Sequence, residues 1–95
     1  MDWDRNSAVL WLAEDAEVPT ASQFQHDVGA VKWNHAIEAL RDIYRRQQEP
    51  VPPVTKPWML WNDGTIFSPG QISAVRPIFD DEVTARGGAL PKELP

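Results

Sequence analysis

Few side chains in this chain have a type and spacing that could do chemistry. His26 and His35 lie nine residues apart, on opposite sides of any shared helix. No His-x-x-x-His or His-Glu-x-x-His pattern accompanies them. His35 and Glu38 would share one helical face, but two donors fall short of a zinc site. Asp80, Asp81 and Glu82 are consecutive acids. Adjacent helical residues point in different directions, so the run reads as a helix N-terminus matched to the helix dipole. Ser68 begins Ser-Pro-Gly-Gln, and capping a helix accounts for it. The glycines form no phosphate loop and no nucleophile elbow. With no cysteine, disulfides and thiolate sites are excluded. The expectation is no catalytic residue, no metal and no cofactor.

The remaining candidates are the five tryptophans, Trp3, Trp11, Trp33, Trp58 and Trp61. Tryptophan is rarely buried completely and is enriched at binding hot spots. A 95-residue chain builds one modest core, so some of the five should face a partner. The predicted partner-binding set is Trp58, Trp61, Trp3 and Trp11, with the acids Asp80, Asp81 and Glu82.

The elements that position them follow from pattern. Asp2 or Asp4 can cap a helix through "DRNSAVLWLAEDAE", placing Trp3 and Trp11 on one face; the continuous run Val9 to Leu12 keeps a strand as the alternative. "TASQ" at 20–23 has capping-box spacing, and Phe24, Val28 and Val31 follow at helical intervals. A second stripe, 33, 37, 40 and 44, lies half a turn away, which predicts a break near Gly29 to Asn34. Asn34 would cap the second helix, with Glu38–Arg41 and Asp42–Arg45/Arg46 at ion-pair spacing on its exposed side. "EPVPPVTKP" at 49–57 holds four prolines and reads as an extended connector. It includes a Pro-x-x-Pro from Pro50 to Pro53. "WMLW", "NDGT" and "IF" predict a β-hairpin near 58–67, with Trp58 and Leu60 on one face and Met59 and Trp61 on the other. Ser68 starts a helix that Pro77 ends or kinks. "DDEVTAR" makes one more turn, capped by Asp80 or Asp81 and stopped at Gly87–Gly88. The tail "ALPKELP" reads as irregular. The fold class is α+β: a mostly helical single domain, 1–95, of about four helices with one hairpin.

Net charge is −5, divided as −4 over residues 1–33, +1 over 34–57 and −2 over 58–95. Such a chain is not drawn to a phosphate backbone, and nucleic acid is not the expected partner. A helix-turn-helix centred on Gly29 would bury His35 and Glu38, and its arginines are diluted by Glu38 and Asp42. The N-terminus is acidic and its apolar run short, so neither a leader nor a membrane span is expected. A soluble cytoplasmic protein follows. The function read from the sequence is a small acidic protein-interaction module, an accessory subunit or an inhibitor of a larger partner. A phage- or mobile-element-type inhibitor of a nucleic-acid-handling enzyme is one concrete form. Self-association is compatible with this reading. The alternative is a helix-turn-helix-like DNA-binding regulator, and a small enzyme ranks third.

Overall fold

The computed structural model describes residues 2–50 and 54–87. The Pro-x-x-Pro through Pro53 and the tail from residue 89 lie outside these. Eight elements follow in order: β1 (Ser7–Leu12), α1 (Ala21–His26), β2 (Val31–Trp33), α2 (Ala36–Gln47), β3 (Lys56–Trp61), β4 (Ile66–Phe67), α3 (Pro69–Ala74) and α4 (Arg76–Ala85). The strands form one antiparallel sheet in the order β2-β1-β3-β4. The domain is α+β with four helices, and the expected hairpin is β3–β4. That hairpin is half of a four-stranded sheet, so the helical share is smaller than the sequence predicts.

The largest correction is at the N-terminus, where the expected helix is strand β1. Its residues are apolar in succession because β1 is a central strand covered on both faces. Val9 points into the main core, and Ala8 and Leu10 into a second cluster with Phe24 on the other side. Trp3 and Trp11 therefore share no helical face.

The break between the two apolar stripes is real, and strand β2 fills it. Thr20 caps α1 by accepting the Gln23 N–H. The helix stops early because the Asp27 carboxylate accepts the Gly29 N–H at 2.7 Å, a local turn that competes with another helical turn. Val28 is left fully exposed, and Val31 is an edge-strand residue. Trp33 belongs to β2 rather than to the following helix. The N-cap of α2 is His35, not Asn34, and it makes no side-chain cap. The chain's own start does that work: the Ala36 N–H donates to the Arg5 carbonyl at 2.8 Å and the Ile37 N–H to the Trp3 carbonyl at 3.0 Å. These bonds satisfy donors that a helix start leaves orphaned, and they hold Trp3 over the core.

Ala36, Ile37, Leu40, Ile43 and Tyr44 of α2 are buried, as their spacing requires. Asp42 pairs with Arg45 and Arg46 at 2.9 and 2.8 Å. Glu38, expected on the exposed side, is 0% exposed; it sits in the first turn, where the positive helix end favours a carboxylate.

The connector ends sooner than expected, because β3 already begins at Lys56. In the hairpin turn, Gly64 takes φ +90°, which side chains rarely tolerate. Asp63 accepts the Thr65 N–H at 2.9 Å, and hydrogen bonds from Thr65 hold its carboxyl below the ordinary range. Ser68 and Gln71 form the expected capping box at the start of α3. The helix begun at Ser68 ends at Ala74, just ahead of Pro77, as expected, and what the sequence did not show is that Pro77 also opens the next helix. It lies in the first turn of α4, where a missing N–H costs nothing. Asp80 and Asp81 are consequently mid-helix rather than caps. Gly87, at φ +74°, follows the end of α4.

Helices α2, α3 and α4 cover one face of the sheet. Their core contains Trp3, Val9, Leu40, Met59, Trp61, Ile72 and Phe79. Tyr44 donates to the Ile72 carbonyl at 2.6 Å, and burial pushes its phenol up to about 12. Arg86 joins the end of α4 to the N-terminal segment, donating to both Asp4 oxygens at 2.9 and 3.1 Å and to Glu82 at 2.8 Å.

Candidate functional site

The opposite sheet face is the one that the described residues cover only in part. Antiparallel register arranges its side chains in rows: Lys32–Ala8–Leu60–Ile66, then Leu10–Trp58, then Leu12–Lys56. Among the described residues α1 is the helix that lies over this face, contributing Phe24 against Ala8 and Leu10. At six residues, α1 is about 9 Å long. Four strands at ~4.8 Å spacing span about 14 Å, and a six-residue strand runs about 20 Å. One short helix cannot cover that area. Leu12, Trp58, Leu60 and Ile66 therefore remain half-buried around it.

The predicted tryptophans divide between the two faces. Trp61 is 6% exposed and Trp3 9%; their rings meet edge to face at 6.2 Å between centroids. Both are core in this fold. Trp11 is half-buried against the same core. Trp58 is the one tryptophan on the open face, in accord with the alternation along β3. A depression of about 440 Å³ beside it is lined by Glu14 and Lys56 and by Gln47, Pro69, Gly70 and Ser73 of α2 and α3, so Trp58 stands where the open face meets the ends of these helices. Glu14, Asp15 and Glu17, on the loop after β1, are all exposed.

The acids expected to act beside the tryptophans lie elsewhere. Asp80, Asp81 and Glu82 are on α4, in the helical layer across the sheet from Trp58. Asp80 pairs with Arg76 at 3.4 Å and Glu82 with Arg86 at 2.8 Å; Asp81 is exposed. They and Trp58 do not form one surface.

A second feature of the open face was not legible in the sequence. One residue beyond the paired set Ser7, Trp33 and Trp61 come Asn6, Asn34 and Asn62, at the same end of three neighbouring strands. Together with Lys32 and Gln25 they line a groove of about 390 Å³, floored by Ala8, Phe24 and Leu60. The Asn62 amide donates to the Asn6 carbonyl oxygen at 2.6 Å. The three lie in separate segments and share no motif; strand register alone unites them.

Among the described residues no three His, Asp or Glu side chains gather as a metal-binding group. His26 is exposed at the end of α1, and His35 Nδ1 lies 4.0 Å from Asp4. The two helices that a helix-turn-helix would join by a tight turn are separated by strand β2. No helix among the described residues is long and apolar enough to cross a membrane. No protein-family model, no curated protein and no solved structure matches the chain.

Proposed function

We propose that this chain is a small, acidic, non-catalytic protein-interaction module that engages a larger protein partner through the open face of its sheet. It acts there as an accessory subunit or as an inhibitor that occludes the partner's surface, in the cytoplasm. The observation that carries this reading is the half-covered apolar patch of Trp58, Leu60, Ile66 and Leu12 beneath an α1 too short to close it. Contiguous apolar surface of this kind marks interaction sites, and a half-buried tryptophan within it has the character of a hot spot. Glu14 lines the depression beside Trp58, Asp15 and Glu17 are exposed on the same loop, and none of the three makes an ion pair with a described residue; these acids favour a basic partner surface, such as one that otherwise holds nucleic acid. Net charge −5 and the strand between α1 and α2 weigh against a DNA-binding role.

The test is affinity capture from the native host with the wild-type chain and with Trp58→Ala as baits, followed by reconstitution of the captured pair from purified proteins. A partner retained by the wild type and lost by a folded Trp58→Ala supports the reading. Equal retention, or nanomolar binding of random duplex DNA that weakens steeply with salt, opposes it.

A further inference from the structure

We propose that the asparagine-lined groove is a distinct binding site for a carboxylate-bearing, extended peptide segment. Its chemistry differs from that of the rest of the molecule. The chain carries net charge −5, yet among the described residues none that lines this groove is an acid, and one is Lys32. Lys32 is exposed and makes no ion pair with a described residue. A lone ammonium in an acid-free recess of an acidic protein selects for an anionic group, and its compact charge needs no bidentate geometry.

The other polar groups suit a peptide main chain. Each Asn or Gln amide offers two N–H donors and an acceptor oxygen. The bond from Asn62 to Asn6 uses one donor and part of one acceptor. Counted against the described residues, free donors remain on Asn6, Asn34, Gln25 and the second N–H of Asn62, and free acceptors on Asn34, Asn62 and Gln25. That balance matches the alternating N–H and C=O groups of an extended chain, whereas a phosphate would call for donors alone. The floor of Ala8, Phe24 and Leu60 gives one apolar side chain a place to rest.

Dimensions agree. The groove crosses β2, β1 and β3, two inter-strand spacings or about 10 Å, the span of three extended residues. Naming a peptide rather than a small metabolite rests on the module reading above; the groove and the Trp58 patch are nevertheless separable by mutation.

The experiment is a heteronuclear NMR titration of the full chain, following the side-chain amide signals of Asn6, Asn34, Asn62 and Gln25. The probes are three pools of N-acetylated tripeptides, taken to millimolar concentration. The first is randomised, excludes Asp and Glu, and ends in a free carboxylate. The second is the same pool ending in a carboxamide. The third is the carboxamide pool with Asp at its last position. Saturable shifts of these amides with the first or third pool, weakened at least tenfold by Lys32→Gln and kept by Trp58→Ala, support the proposal. Which of those two pools binds assigns the carboxylate to a chain end or to a side chain. No shift with either, equal shifts with the plain carboxamide pool, or affinity unchanged in Lys32→Gln overturns it. Loss of the captured partner in Trp58→Ala alongside a silent groove would retain the module and discard this site.

Discussion

Trp58 and Trp61 are three residues apart on one strand and do opposite work. Trp61 packs against Trp3 and Phe67 inside the helical core, whereas Trp58 lies half-buried on the open face. Trp61→Ala is expected to cost about 3–5 kcal/mol, most of the stability of a domain this small. Trp58→Ala should cost about 1 kcal/mol. Urea unfolding of both variants measures the difference, and equal losses would mean the two faces are not distinct. The pairing of tryptophan to face was legible in part: alternation separates the two side chains, but which face becomes core depends on helices elsewhere in the chain. Asp4 supplies a second residue-scale test. The hydrogen bond from Arg86 is the main reason its carboxyl lies below the ordinary 3.8, with burial opposing. A pKa lowered on folding contributes stability that is complete above the unfolded value and lost as pH falls through the folded one. Asp4→Asn should therefore be less stable than wild type near neutrality, and the gap should close below about pH 4. Urea midpoints across that range check the sign.

At the scale of elements, local signals were legible and tertiary ones were not. The Ser68–Gln71 capping box and the Asp63-Gly64 turn each rest on chemistry within a few residues and form as their spacing predicts, and the α2 stripe does so from Ile37 through Leu40 to Tyr44 but not at Trp33 or Glu38. Ser68→Ala is expected to cost about 1 kcal/mol, read as a lower unfolding midpoint with unchanged denaturant sensitivity. Strand β1 was misread because a continuous apolar run suits a doubly covered strand as well as a helix; what decides is that α1 and α2 end up on either side of it. His35 replaced Asn34 at the α2 start for a similar reason. The donors of that helix are met by carbonyls of Trp3 and Arg5, some thirty residues earlier, which no local pattern announces. Pro77 marked the end of α3 correctly, but the same proline also starts α4, because a proline that stops one helix fits the first turn of another.

At the scale of the whole molecule, the sheet face that the described residues only half cover is a matter of arithmetic between a six-residue helix and a four-stranded sheet. Neither the patch nor the asparagine row could be read from the chain, since both are products of the β2-β1-β3-β4 order. The acids on α4 looked like natural neighbours of the tryptophans and are separated from Trp58 by the sheet itself. The claim that partner binding uses the open face is tested most directly by the dissociation constant of the reconstituted pair. It should be measured for wild type, Trp58→Ala and Asp81→Lys, each confirmed folded. A loss of about 2 kcal/mol, near thirtyfold, for Trp58→Ala with Asp81→Lys unchanged is the expected result. An unchanged constant for Trp58→Ala, with binding weakened by Asp81→Lys, would place the partner on the helical layer and contradict the account.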